Sequence, residues 1–587
     1  MTIKPSISLL ILLLGLSILG HTQDTRSKPN VLIIITDDQG YGDMGYYGNT
    51  IIKTPHLDAL AQESVRFNHF LVSPVCAPTR SSLMTGRYSL RTGIRDTYNG
   101  GAIMATEEIT LAELLKESGY TTGVFGKWHL GDTYPSRPND QGFDESIIHL
   151  SGGMGQVGDF TTYFQRDRSY YDPILWHNGT QQSYKGYCSD IFAQGAVEFM
   201  EKNADKPFFC YLSFNAPHTP LQVPEKYERM YADVDMSEIH HPHATSDRHM
   251  SKKDIEDAQK IYAMMSNVDE NIGKVLGKLD EMNIRQNTVV IFMSDNGPQQ
   301  LRYNHDLRGL KGSVYRGGIN VPFFLRYPDR FEGDREIDQP AAHIDIYPTL
   351  AELCQAEIPG DRKIDGMSLL SLLRGDTQGW SDRSLFFYWT RKYPQRYRNM
   401  AIQRGSYKMV GQLDYDASWE DFELFNLDDD PLEENNIVSS NPQVAMDLKS
   451  RMDQFVDELL LSPHILDPPR IQIGSSQENP VVLNRNDAGG QRGIWAQEEI
   501  FGTWNVDIAK GIYNLKIKFV KPVKSGGIMT VEIGHIVHQK HMEGNSDLIE
   551  MKGIQLPDIS GELIPFYSVD GKRIFPFWIE VEKVKMP

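Results

Sequence analysis

Residues 31–35 read VLIII and run straight into Thr36-Asp37-Asp38. Five consecutive aliphatic residues have no polar face to show to water, so a strand built from them must be covered on both sides. Strands covered in this way belong to sheets with helices packed above and below. The pattern recurs twice. Pro207–His218 (PFFCYLSFNAPH) is an apolar run that opens into a polar loop, and Asn287–Gly297 (NTVVIFMSDNG) ends in Asp295-Asn296. Helical stretches lie between. Thr110–Ser118 stops at Gly119, a residue suited to a helix C-terminus. From Asp254 to Leu279, apolar residues at Ile261, Met265, Val268, Ile272, Val275 and Leu279 mark one helical face. The expectation is an α/β chain with a mainly parallel, doubly wound sheet and helices on both faces.

The chain has 587 residues, more than one core supports. From about Arg383 the apolar runs shorten to SLFFYW, NMAIQR, YKMVG and ELFNL, followed by a helical stretch at Pro442–Leu460. Asp467–Arg470 (DPPR) reads as a linker. Beyond it Tyr513, Leu515, Ile517 and Phe519 alternate with polar residues, as do Phe577, Ile579 and Val581. The expected division is a catalytic α/β unit at 23–380, a small antiparallel-sheet subdomain at 381–466 and a C-terminal β-sandwich at 471–587. Trp504 and Trp578 fall within the strand pattern and read as core. At the N-terminus one lysine precedes the apolar run Ile7–Leu19, which is short for a bilayer span and is followed by small and polar residues. Residues 1–22 therefore read as a signal peptide for export to the periplasm or medium, the opposing reading being an uncleaved anchor. No other stretch is apolar enough to span a membrane, so the mature chain is expected to have none.

The formal net charge of −19 argues against nucleic-acid binding. An anionic substrate would have to be gathered by a local basic cluster. Four cysteines, at positions 76, 188, 210 and 354, are too few for a disulfide framework, and their spacing does not suggest zinc.

In open α/β sheets, sites form beyond the carboxyl ends of the strands. Asp37, Asp38, Asp295 and Asn296 stand at such ends, and His218 follows a third. Tandem acids after an apolar run are costly to desolvate unless a cation sits among them. A single pair reads equally as a turn or a helix cap; two acid-rich ends in one sheet point to a metal site. An all-oxygen set suits Ca²⁺, with Mg²⁺ as the alternative. Cys76 stands at the mouth of a helix expected over Pro78–Thr85 and ended by Gly86, where free N–H groups and partial positive charge suit a sulfate or phosphate group. Arg80 adds a charged fork one turn in. Cys76 also reads as a buried cysteine beside a helix start, or as a thiolate nucleophile.

The string Cys76-Ala77-Pro78-Thr79-Arg80, continued by Ser81-Ser82-Leu83-Met84-Thr85-Gly86-Arg87, resembles the signature of type I, formylglycine-dependent sulfatases. The resemblance covers roughly Pro29 to Leu460. It implies that Cys76 is oxidised by a maturation enzyme to formylglycine, whose hydrate ligates the metal and attacks sulfur. Asp37, Asp38, Asp295 and Asn296 match the metal pairs. Gly126–Gly131 (GKWHLG) is similar to the segment that brings Lys127 and His129 to the sulfate. Ala216–Pro220 resembles the segment carrying the second histidine, His218. Leu307–Gly312 (LRGLKG) resembles the segment carrying Lys311. The implied roles are general acid for His218, base for His129, and holding of the hydrate and sulfate by Arg80, Lys127 and Lys311. The chain departs from the family pattern at Arg316-Gly317-Gly318 and Asn320-Val321-Pro322, where the family shows Glu-Gly-Gly and Arg before Val-Pro.

The expected function is hydrolysis of sulfate esters on a sulfated carbohydrate, with Arg95, Tyr98, Asn99, Arg302 and His305 as candidate sugar contacts. Two other readings remain: a phosphonate or phosphate ester hydrolase on the same scaffold, and a secreted, non-catalytic glycan-binding protein. The sandwich is expected to buttress the catalytic unit more than to bind sugar.

Overall fold

The structure, a computed structural model, describes residues 28–243, 248–378, 380 and 383–584. The expected signal peptide lies outside the described residues. Five strands form the centre of the large sheet: β1 (Asn30–Thr36), β2 (Thr121–Lys127), β3 (Glu145–His149), β4 (Phe208–Ser213) and β5 (Thr288–Ser294). They run parallel in the spatial order β5-β1-β4-β2-β3. β1 is buried at every position, as its composition demands. Its residues alternate between two cores. Val31, Ile33 and Ile35 pack on one side of the sheet, Leu32 and Ile34 on the other.

Two helices recur below: α1 (Cys76–Thr85) and α2 (Lys252–Glu281). α2 is longer than its apolar stripe. Ser251 caps it, accepting from the Asp254 N–H, and the Asp254 carboxylate accepts from the Ser251 N–H in return. The six apolar positions of the stripe are all buried, covering the Leu32–Ile34 side.

Antiparallel pairings enter on both sides of the parallel centre, so the ten-stranded sheet is mixed, and at one edge Arg335–Ile337 again pairs parallel with Val65–Phe67. Phe323–Arg326 runs antiparallel to β5. On the far edge Ile174–His177 pairs antiparallel with β3 and with Thr180–Ser183. Asn178 and Gly179 join the last two strands with φ of 49° and 77°, the positive values that a two-residue Asn-Gly hairpin requires.

Ser384–Tyr388, Arg398–Arg404, Tyr407–Gln412 and Glu423–Asn426 form a four-stranded antiparallel sheet under the helix Pro442–Leu459. The strands from Ile471 onward form sheets of seven and four strands around one shared core. Trp504 is fully buried there. Trp578 departs from expectation: it is half-buried and faces Phe160 at 6.3 Å, on the seam with the α/β unit. Tyr163 and Phe164 pack on Phe577 along the same seam, and Ile103 joins the sandwich core. All four cysteines are free and buried.

The departures from the family motif have local partners. The Arg316 N–H donates to Glu433 Oε2 at 2.7 Å, and its guanidinium donates to Pro431 O at 2.7 Å. Glu433 also pairs with the fully buried Lys408. Asn320 lies beside the Asn68 carbonyl at 3.4 Å. Among the described residues, no helix is long and apolar enough to cross a membrane.

Candidate active site

Thr36 of β1 lies opposite Ser294 of β5, so Asp37-Asp38 and Asp295-Asn296 leave the sheet side by side. Asp38 turns the chain at φ 68°, and its N–H donates to Asp295 Oδ1 at 3.3 Å. All four side chains are buried. α1 begins at Cys76 itself, after the extended Val75, which puts the cysteine in the first turn among N–H groups with no intrahelical acceptor. Gly86 closes the helix at φ 68°. The Cys76 sulfur and one carboxylate oxygen each of Asp37 and Asp295 lie within 4.8 Å of one another; so do ligand atoms of Asp37, Asp38 and His218.

Three fixed cations face these acids. Lys127 Nζ, at the end of β2, donates to Asp37 Oδ2 at 2.6 Å, and Lys311 Nζ to Asp38 Oδ1 at 2.5 Å. Arg80 donates through Nε and Nη2 to Asp295 Oδ2 at 3.0 and 2.8 Å, and through Nη1 to Ser213 Oγ at 2.6 Å. After these bonds Asp37 Oδ1, Asp38 Oδ2 and Asn296 Oδ1 remain buried with no donor. An orphaned buried acceptor costs about 1–3 kcal/mol, and more when it is charged. Three of them beside Cys76 and Asp295 fit a hard divalent cation held by oxygen.

The two histidines are fixed by carbonyls. His129 Nε2 lies 2.7 Å from Thr97 O, which can only accept, so Nε2 carries the proton. Nδ1 is left as an acceptor 3.5 Å from Cys76 Sγ. His218 Nδ1 lies 2.7 Å from Thr219 O, leaving Nε2 3.8 Å from Asp38 Oδ2. Burial pushes His218 down to about 3; Asp38 opposes this, while Lys311 and Lys127 add to it. Burial also lowers His129, with Lys127 contributing. Burial and the neighbouring Asp37 lift the Asp295 carboxyl to about 6, against the pull of Arg80. Burial alone would raise Asp38, but Lys311 and His218 together hold it below the usual carboxylate range.

A cavity of about 410 Å³ opens over this cluster, with Cys76, His129, His218 and Lys311 in its wall. Of the five expected sugar contacts, Tyr98 lines it. Arg302 is 1% exposed, and its guanidinium is engaged by Asp43 and the Asp38 carbonyl; it braces the metal-side loop. His305 points to solvent beside Tyr41 and Tyr303. Asn99 is buried at φ 61° and Arg95 donates to Gly100 O; both shape the loop that carries Tyr98. Trp389, Arg391 and Trp495 line the cavity without having been expected there. No motif marks them. Their one signal is an aromatic or arginine just past a strand end or within a glycine-flanked loop.

Buried acids with donor-less oxygens, cationic side chains and a helix N-terminus together suit a hydrolase of oxyanion esters. Residues 29–356 match the family model described as Sulfatase, and residues 310–458 match N-sulphoglucosamine sulphohydrolase, C-terminal. The chain belongs to the sulfatase family and is a sulfuric ester hydrolase. It is 33% identical to the ulvan-active sulfatase of Formosa agariphila over 60% of this chain and 66% of that protein. It is 29% identical to N-acetylgalactosamine-6-sulfatase of Canis lupus familiaris over 70% and 75%. Among solved structures, Ps i-CgsB in complex with k-i-k-neocarrahexaose superposes with a TM-score of 0.63 at 30% identity, covering 73% of this chain and 93% of that one.

Proposed function

We propose that this enzyme removes sulfate from a sulfated saccharide, using Cys76 converted to formylglycine and a bound Ca²⁺. The observation that carries the reading is the set of three buried donor-less oxygens, Asp37 Oδ1, Asp38 Oδ2 and Asn296 Oδ1, at two adjoining strand ends, with Cys76 Sγ within 4.8 Å of a carboxylate oxygen of Asp37 and of Asp295. The saccharide substrate is supported by relatives named for ulvan and N-acetylgalactosamine sulfates and by a neighbour solved with neocarrahexaose. Export through residues 1–22, and the division at residues 23–380, 381–466 and 471–587, belong to the same proposal.

The cation, when bound, supplies a Lewis acid that draws charge from a sulfate oxygen. The oxidised residue 76 supplies an oxygen nucleophile in place of the thiol. Asp37, Asp38, Asp295 and Asn296 are the residues to hold the cation. Lys127 and Lys311 neutralise the sulfate group, and Arg80 fixes Asp295 beneath it. His129 Nδ1 faces position 76 and is set to take a proton there. His218 Nε2 opens on the cavity. Its resting neutrality follows from burial and the two ammonium groups. A sulfate anion between those lysines offsets their repulsion, so that Nε2 can hold a proton and pass it to the leaving sugar oxygen.

The test is sulfate release from a panel of defined sulfated saccharides by protein matured in the presence of a formylglycine-generating enzyme. Release by the wild type and none by Cys76→Ala supports the reading; no release from any member by aldehyde-bearing protein overturns it. Matched aryl sulfate and aryl phosphate esters separate it from a phosphorus-ester hydrolase.

A further inference from the structure

The sulfate-binding wall of the cavity comes from the α/β unit, but its rim draws on the rest of the chain as well. Trp495 belongs to the loop between Gly490 and Gly502 of the C-terminal sandwich and yet lines the same cavity as Cys76. It meets Tyr98 edge-on, with ring centroids 5.0 Å apart. The approach is secured on both flanks. A Cβ at Gly100 would stand 3.3 Å from the Gly489 nitrogen, and Lys392 Nζ donates to Gly490 O at 3.1 Å.

Trp389, which lines the same cavity, follows the strand Ser384–Tyr388. Its Nε1 donates to Asp96 Oδ1 at 3.3 Å. Arg391 lies between the two rings, 4.7 Å from the Trp389 centroid and 4.5 Å from that of Tyr98. Its Nη1 donates to the same Asp96 oxygen at 2.7 Å. Asp96 is fully buried, so it ties Trp389, Arg391 and the Tyr98 loop into one rigid wall.

Flat aromatic faces on a cavity rim suit the C–H faces of a pyranose, and a sulfatase needs such a surface only for what the sulfate is attached to. Asp96 pairs with Arg391, the charged side chain of this wall, while Lys392 and Arg95 beside it donate to backbone carbonyls at 3.1 and 3.0 Å. We propose that Trp495, Trp389 and Tyr98 form the subsite for the saccharide leaving group and that the sandwich thereby takes part in substrate recognition. The proposal rests on the sulfatase reading above.

The test compares wild type with Trp495→Ala and Trp495→Phe on two substrates: the saccharide sulfate turned over fastest in the panel, and a small aryl sulfate too short to reach the rim. For Trp495→Ala the expected result is a roughly tenfold fall in the ratio of saccharide to aryl kcat/KM, carried by the saccharide KM, with Trp495→Phe recovering most of it. Phe501→Ala, an exposed aromatic of the same sandwich that does not line the cavity, leaves the ratio as it is. An unmoved ratio in Trp495→Ala overturns the proposal, and so does an equal loss on both substrates, which marks a purely structural role. A wild type that turns over neither ester sinks the sulfatase reading, and this inference with it.

Discussion

At the scale of single residues, the site pairs its charges with the cation left out of the count. Lys127, Lys311 and Arg80 each satisfy one acid, and three oxygens are left over. Removing the cation should therefore cost stability as well as activity. Chelation is expected to abolish turnover and lower the melting temperature, with Ca²⁺ restoring both; a ligand at a hundred times its Kd adds about 2.7 kcal/mol. An unchanged melting temperature after verified metal removal would contradict the assignment. The histidines make a sharper case. If His218 protonates the leaving oxygen, His218→Ala should lower kcat by roughly 10²–10⁴-fold on a saccharide sulfate. On an aryl sulfate, whose phenolate departs unaided, the loss should be slight. Equal losses on the two esters would remove His218 from that role. Most residues of this cluster were legible because they sit in short motifs at a strand end or a helix start; Lys311, in the loop after Thr288–Ser294, was legible through its motif alone. Arg302 and His305 were misplaced by the same logic. Nearness in sequence to Lys311 said nothing of the buried Asp43, which claims the Arg302 guanidinium.

At the scale of elements, the run Val31–Ile35 predicted the centre of the sheet, because an aliphatic segment must be covered on both faces. The edges were less legible. Phe323–Arg326 and Ile174–His177 are four-residue strands that follow long connections, 295–322 and 150–173, so no turn motif or periodicity beside them announces their direction. Arg316 shows a second kind of gap. Where the family pattern has an acid, this chain has a base, and the acid arrives from Glu433, more than a hundred residues away. Glu433 pairs with Lys408 at 2.5 Å with both side chains fully buried, and it also accepts from the Arg316 N–H. Glu433→Gln should cost roughly 3–5 kcal/mol by chemical denaturation, since it strands a buried ammonium. A loss below about 1 kcal/mol would show that Lys408 finds another partner or sheds its proton.

At the scale of the whole molecule, the sandwich and the α/β unit meet over buried acids. Asp132 accepts from Asn484 of the sandwich at 2.8 Å, and Asn486 packs against Gly158. Burial, with Asp132 adding to it and the Thr161 and Thr162 hydroxyls opposing, lifts Asp159 from 3.8 to about 7. A carboxyl raised in the folded state favours folding while it is protonated, and that contribution is lost as pH rises through about 7. The melting temperature should fall as pH rises from about 4 to about 7 and level off above that, and Asp159→Asn should flatten the fall. An equally steep fall in the variant would clear Asp159 of the effect. Nothing in the sequence announced this seam, because it joins residues more than three hundred positions apart. For the same reason Trp495 was invisible as a wall of the cavity. What unites the seam, the sheet and the acids is the proposal that residue 76, once oxidised, works beside a cation to cleave a sulfate ester. The most direct measurement is inorganic sulfate released from a sulfated saccharide by Ca²⁺-loaded protein whose residue-76 peptide has the mass of the aldehyde. Many turnovers per aldehyde, and none in Cys76→Ala, are predicted; aldehyde-bearing protein that releases no sulfate, or a Cys76→Ala variant that releases as much, would contradict the account.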